Sequence, residues 1–296
     1  MTLSQLRLFI RGSESDCNSA MDLLADWMEE EGLPLATMEV DETQDLWETS
    51  VYVNEADVDD VRAVMQAQLA SAFPDSVVET ETLPDVDWVS RSLEGLKPVR
   101  AGRFVVFGSH DRRAAQAHEL AIEIEAGQAF GTGHHGTTAG CLEMIGRLAK
   151  ARQFSNALDL GTGSGVLAIA LARQGLSDIL ATDIDPVAVA VARRNSRLNE
   201  TASAIAFETA AGFHSAIFER KGPFDLIVAN ILARPLMKMA PSIARHLAPG
   251  GIVVLSGILA SQRWKVLAAF AGQGLYHRHT LWRGGWVTLH LSANRS

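Results

Sequence analysis

Ala157-Leu158-Asp159-Leu160-Gly161-Thr162-Gly163-Ser164-Gly165-Val166-Leu167 decides how the fold is read. A short apolar run meets three glycines at alternate positions, and a helical pattern then extends over 166–173. Glycines let the backbone turn sharply and let a ligand approach the main chain, so the stretch predicts strand, ligand-binding loop and helix. Residues 178–181 predict a second strand, which ends in Thr182-Asp183-Ile184-Asp185-Pro186. Asp183 stands 22 residues after Gly161, the offset at which a carboxylate meets the hydroxyl pair of a ribose. Pro186 suits the first turn of the next helix, and Asp185 suits its cap. Phe224-Asp225-Leu226-Ile227-Val228-Ala229-Asn230-Ile231-Leu232 predicts a buried strand that delivers Asn230 to the carboxyl edge of the sheet, where open α/β sheets bind ligands. A helix over 235–247, a turn at Pro249-Gly250-Gly251 and a strand over 252–257 follow.

These elements fit two cofactors, a dinucleotide or S-adenosylmethionine. The dinucleotide fingerprint G-x-G-x-x-G holds a pyrophosphate on a helix N-terminus, and here the third glycine, Gly165, arrives one residue early. A tight turn with no ligand remains the plain alternative for the glycines alone, and the acid at 183 argues against it.

Outward from this centre, alternating strands and helices from about Leu120 predict a parallel sheet covered on both faces. The N-terminal part has a different rhythm. Residues 3–12 predict a strand with Leu6, Leu8 and Ile10 on one face. Ser13 or Ser15 is placed to cap a helix carrying Met21, Leu24, Trp27 and Met28, which Gly32 and Pro34 stop. Strands over 36–40 and 47–53 come next. Asn54 is expected to cap a second helix with Val58, Val61, Val64, Met65, Leu69 and Phe73 at core spacing, before Pro74 and a last strand over 76–83. The order βαββαβ matches the ferredoxin-like split fold. Residues 87–96 predict a short connecting helix, and 103–107 return to strand. The division is therefore 1–85, a ferredoxin-like α+β domain; 86–102, a linker; and 103–296, a Rossmann-like α/β domain.

The composition, 296 residues with 47% hydrophobic and 21% charged, suits two ordinary globular domains and excludes a disordered or fibrous chain. No apolar run approaches the ~18–20 residues that span a bilayer, and no secretion signal is visible at the start. Cys17 and Cys141 stand far apart, which disfavours a disulfide framework or a structural zinc site and makes a reducing cytoplasm the expected location. The net charge of −9 divides unevenly: residues 1–90 hold 21 acids against three bases, and the rest holds 14 acids against 23 bases. An acidic module attracts basic partners and repels phosphate backbones, although a solvated acidic surface serving solubility is an equal reading.

One more stretch, Gly127-Gln128-Ala129-Phe130-Gly131-Thr132-Gly133-His134-His135-Gly136-Thr137-Thr138, narrows the assignment. Together these elements resemble the class I S-adenosylmethionine-dependent methyltransferases. The sequence AFGTGxHxTT, then DLGTGSG, ANIL and LSGIL (255–259), resembles the bacterial methyltransferases of ribosomal protein eleven of the large subunit, over most of the chain. The family's DWxxxW-like linker is partly matched as DWVSRSL, and Gly136 stands where the family commonly has proline. The resemblance implies S-adenosylmethionine as cofactor, with Thr138, Gly161, Asp183 and Asn230 in contact with it. Gly163 belongs to the same loop, and Phe130 is expected to cover the adenine or the active site. His135 is a candidate proton acceptor, and no metal is expected at His134 and His135, because no carboxylate or cysteine stands at ligand spacing. The implied reaction is methylation of the α-amine and lysine side chains of a basic ribosomal protein, which the acidic N-terminal domain would bind. Neither nucleic acid nor membrane is an expected partner. Another class I methyltransferase and a nicotinamide-dependent oxidoreductase are the alternatives. A run of the N-P-P-Y kind, which would mark amide and adenine methylation, is replaced here by Asn230-Ile231-Leu232-Ala233.

Overall fold

The computed structural model describes residues 5–31, 33, 35–41, 46–54, 57–74, 76–82, 98–109, 111, 116, 118–124 and 135–293. The predicted connecting helix at 87–96, Phe130 and His134 lie outside these residues. The chain divides into two compact units, Met1–Arg91 and Ser92–Ser296.

In the first unit β1 (Gln5–Gly12), α1 (Glu14–Glu31), β2 (Leu35–Asp41), β3 (Leu46–Asn54), α2 (Val58–Leu69) and β4 (Glu79–Thr82) follow in the predicted order. The strands lie as β2-β3-β1-β4, antiparallel throughout. Period-two alternation puts Leu8 and Ile10 of β1 and Val51 and Val53 of β3 into one core with Leu24, Met28, Met65 and Leu69 of the helices. Ser13 is the cap of α1: its Oγ accepts the Asp16 N–H at 3.2 Å and donates to the Asp16 carboxylate at 2.7 Å. Asn54 does not cap α2. It still belongs to β3, paired with Gln5, so the helix starts three residues later with Asp57 at its N-cap. The last strand begins later than predicted, at Glu79, and through Thr82 it pairs with Leu6–Phe9 of β1.

The second unit opens with β5 (Val99–Ala101), β6 (Phe104–Phe107) and β7 (Leu120–Glu123) in a three-stranded sheet. The strand β5 falls inside the stretch read as a linker, because Gly102 at φ +60° folds it back onto β6.

Next come α3 (His135–Ala151), β8 (Ala157–Leu160), α4 (Val166–Arg173), β9 (Ile179–Asp183), α5 (Pro186–Leu198) and β10 (Ile205–Thr209). After α6 (Ile217–Lys221), the chain continues through β11 (Phe224–Asn230), α7 (Ala233–His246), β12 (Leu247–Leu259), α8 (Arg263–Ala271), β13 (Leu275–Arg283) and β14 (Trp286–Ala293). The seven-stranded sheet runs β10-β9-β8-β11-β12-β14-β13, parallel except for β14. Counted from the glycine-loop strand, the order is 3-2-1-4-5-7-6. The dinucleotide fold is 3-2-1-4-5-6, so an antiparallel strand inserted between the fifth and sixth separates this sheet from it. The strands are apolar runs flanked on both faces by buried helices, which is why Leu158, Ile227 and Val253 and their neighbours are fully enclosed. The predicted turn at 249–251 lies within β12, because Leu247 leaves the helix early and pairs with Phe224.

Candidate functional site

Strands β8 and β11 are adjacent, parallel and central, and the strand order reverses between them. A crevice at such a point, at the carboxyl ends of the strands, is where open α/β sheets hold ligands. Gly161, Asp183 and Asn230 all stand at those ends.

The glycine loop has left-handed backbone at Gly161 (φ +75°), Gly163 (φ +53°) and Gly165 (φ +85°), a region costly for any other residue. A Cβ at 161 would also overlap the Ile231 side chain, and one at 165 would meet Ala192 of α5 at 3.0 Å. The first glycine thus admits the turn after β11, and the third lets two helices pack. The N–H groups of Gly161 and Thr162 both donate to the Thr182 carbonyl at 2.8 Å, so the loop is tied to β9.

Two carboxylates organise the loop. Asp159 is fully buried beneath it, and its Oδ2 accepts from the Thr162 hydroxyl at 2.6 Å and from the Ala168 N–H at 3.0 Å. Its other oxygen has no hydrogen-bond partner. Burial pushes this carboxyl up to about 6, and the nearby Asp183 charge adds to the shift against those two hydrogen bonds. Asp183 is half-buried; its Oδ2 accepts the Gly163 N–H at 2.8 Å and its Oδ1 the Asp185 N–H at 3.1 Å. A carboxylate offers about four acceptor positions, so two remain for a ligand's hydroxyls. Sequence reasoning missed this second duty of Asp183, which holds the loop that it faces. Asp185 caps α5 as expected, accepting from the Val187 N–H at 2.8 Å, with Pro186 at the first helical position. Ile184, next to Asp183 in sequence, is 71% exposed.

Across the crevice, the Asn230 amide Nδ2 donates to Thr138 Oγ1 at 3.4 Å. Thr138 sits in the first turn of α3, and buried polar groups hold that turn in place. Ser256, opposite Asn230 in the β11–β12 register, donates toward the Thr137 and Val287 carbonyls at 3.3 Å each and lies 2.9 Å from Thr288 Oγ1. A Cβ on Gly140 would overlap Thr288 Oγ1, so α3 touches the sheet there. Gly257 (φ +80°) makes a similar approach to the Ile231 backbone. Ile231 is therefore gripped between Gly161 and Gly257, a role that sequence reasoning missed. His135 begins α3, and its side chain lies outside the described residues, as Phe130 does entirely. Among the described residues, no group of three or more His, Cys, Asp or Glu gathers as a metal site.

A family model described as ribosomal protein L11 methyltransferase matches residues 13–294. A ribosomal protein L11 methyltransferase of Agrobacterium fabrum is 60% identical over 289 residues, covering 98% of this chain and 99% of its own. One from Rhizobium etli is 58% identical over 288 residues, covering 97% and 99%. Among solved structures, a ribosomal protein L11 methylase from Lactobacillus delbrueckii subsp. bulgaricus superimposes with a TM-score of 0.61 at 31% identity, covering 68% of this chain and 100% of that one.

Proposed function

The chain belongs to the ribosomal protein L11 methyltransferase family, and from that premise we propose that it transfers methyl groups from S-adenosylmethionine to the α-amine and lysine side chains of that ribosomal protein. The observation that carries the reading is the convergence of the glycine loop, Asp183 and Asn230 on one sheet edge where the strand order reverses.

The residues present fit the cofactor. Main chain without Cβ atoms lines the loop at Gly161 and Gly163, and Asp183 keeps two acceptor positions for the ribose hydroxyls. Ile184 offers an apolar surface for the adenine, and the Asn230–Thr138 pair stands at the methionine end. When bound, the sulfonium supplies an electrophilic methyl carbon. The chain's own task is to hold an amine nitrogen in line with it, since orientation and exclusion of water supply most of the rate. The Asn230 amide nitrogen is engaged by Thr138, which leaves the amide oxygen as an acceptor for a substrate N–H. An α-amine with pKa about 8 loses its proton readily at neutral pH, whereas a lysine near about 10.4 needs burial or a cationic neighbour. The mechanism requires no fixed base, and His135 is the residue to substitute if one operates.

The first unit, with 21 acids against three bases in residues 1–90, suits recognition of a basic ribosomal protein by long-range attraction. The domain limits 1–85, 86–102 and 103–296 belong to the same reading, and the cytoplasm is the compartment it implies. The test is methyl incorporation from labelled cofactor into a ribosomal-protein extract by the full-length chain. A single labelled band at the ribosomal protein, lost on Asp183→Ala, is the expected result. Labelling of small molecules alone, or none, would overturn the reading.

A further inference from the structure

A closed group of hydroxyls lies under the first turn of α3. Thr137, Ser256 and Thr288 are buried almost completely, whereas Thr138 and Asn230 are half-buried. Asn230 and Ser256 are partners across β11 and β12, and both reach α3: Asn230 through Thr138, and Ser256 through the Thr137 carbonyl. The single hydrogen of Ser256 Oγ has two carbonyls at 3.3 Å, Thr137 and Val287, and Thr288 Oγ1 at 2.9 Å. That hydrogen serves the carbonyls only when Thr288 donates the short contact. Cys141, one turn further along α3 and fully buried, is also hydrogen-bonded to Ser256. Burial pushes its thiol up to about 12, so it stays neutral.

The β13–β14 hairpin meets the same helix. A Cβ on Gly136 would lie 3.2 Å from the Arg283 carbonyl oxygen, one on Gly140 would overlap Thr288 Oγ1, and Arg283 pairs with Glu143. Buried hydroxyls of this kind contribute little to stability, because replacing both partners by apolar groups of the same shape is nearly neutral. What a satisfied buried network does is rigidify one arrangement. The arrangement fixed here is the start of α3. A carbonyl held at 137 sets where the next side chain, Thr138, stands. The Thr138–Asn230 contact, at 3.4 Å, is near the limit of a hydrogen bond, so a small displacement of the turn breaks it.

We propose that Ser256 and Thr288 are positioning residues for methyl transfer, holding Thr138 against the Asn230 amide nitrogen so that the amide oxygen is kept for the substrate amine. The inference rests on the methyl-transfer reading above and extends it to residues that touch neither cofactor nor substrate.

The test is steady-state methylation of ribosomal protein L11 by the full-length chain. Thr288→Val replaces the hydroxyl by a methyl group of similar size, and Ser256→Ala removes its partner. Each should lower kcat about tenfold to a hundredfold, the effect of a small misplacement away from the chemistry. KM for the ribosomal protein and the melting temperature should stay near the parent's. Affinity for S-adenosylhomocysteine, set mainly by the glycine loop and Asp183, should change less than about threefold. Thr288→Ser keeps the hydroxyl and should restore most of kcat. Because Ser256 acts through Thr138, adding Ser256→Ala to Thr138→Val should slow the reaction no further than Thr138→Val alone.

Unchanged kcat in Thr288→Val, a Thr288→Ser as slow as the valine variant, or multiplying effects of Ser256→Ala and Thr138→Val would each overturn the proposal. So would a loss explained by KM or by melting temperature. If Ser256→Ala does not fold, Thr288→Val and Thr288→Ser decide. A parent that methylates nothing overturns the methyl-transfer reading instead, and the side-chain amide resonances of Asn230 then decide for the positioning role. They should be alike in the parent and Thr288→Ser and shifted or broadened in Thr288→Val; the same resonances in all three would overturn it.

Discussion

The first unit and the crevice of the second use polar residues in opposite ways. In the first unit Glu48 is buried against Arg7 and Arg11, but Asp22, Asp60 and Glu79 are exposed, and the number of such acids, more than their positions, sets the local potential. In the crevice the polar groups that organise the site are buried and individually placed: Asp159 under the loop, and Ser256 and Thr288 under the first turn of α3. A surface that works through summed charge tolerates single changes, whereas a site that works through close approach does not. Substitutions should therefore divide sharply by unit.

The largest effect is expected at Asp183. Asp183→Ala removes the acceptors of two backbone N–H groups together with the proposed ribose contact. At about 1.5–3 kcal/mol per charge-assisted bond, affinity for S-adenosylhomocysteine should fall by at least about a hundredfold, measured by calorimetric titration. Unchanged affinity would remove the distinction between the two units.

Next is Asp159, whose carboxyl is raised from 3.8 to about 6, mainly by burial. Because the folded value lies above the unfolded one, the fold binds this proton more tightly than the unfolded chain does. The resulting stabilisation is complete below the unfolded value of 3.8 and is lost as pH rises through about 6. The amount is on the order of 3 kcal/mol. Denaturant titrations of parent and Asp159→Asn across this window should show that slope in the parent only.

Gly140→Ala presses a methyl group onto Thr288 Oγ1. Overpacking of this kind costs about 1–3 kcal/mol, equivalent to several degrees of melting temperature in a unit of this size. Adding Thr288→Ala should recover part of the loss, since contacting sites are not additive.

The smallest effect belongs to the first unit. The combined change D22N/D60N/E79Q should raise KM for the ribosomal protein about threefold to tenfold at low salt. It should leave kcat and S-adenosylhomocysteine affinity alone, and the KM difference should vanish as salt increases. A collapse of kcat would show that individual acids, and not their sum, matter there.

The readable and unreadable parts of the molecule separate along a similar line. The three glycines and the Asp185–Pro186 helix start were legible because each expresses a local backbone requirement within a few residues, and Asp183 stood out by its offset from the glycine loop at the end of the second strand. The cap of α2 was misplaced for a related reason: Asn54 is a good capping residue type, but its pairing with Gln5 keeps it in the strand. The Gly163–Asp183 tie and the Thr138–Asn230 pair join positions 20 and 92 residues apart, and neither partner's type predicts the other.

Sequence by itself determined the alternating elements, the glycine conformations, the carboxylate at the end of the second strand and the charge contrast between the units, since periodicity, turn preference and net charge are properties of neighbouring residues. Only the tertiary structure decided that β14 enters antiparallel between β12 and β13, that Ile231 is gripped between Gly161 and Gly257, and that Thr138 meets Asn230. Those contacts depend on which strands become neighbours and in what register. Packing of the whole sheet sets both.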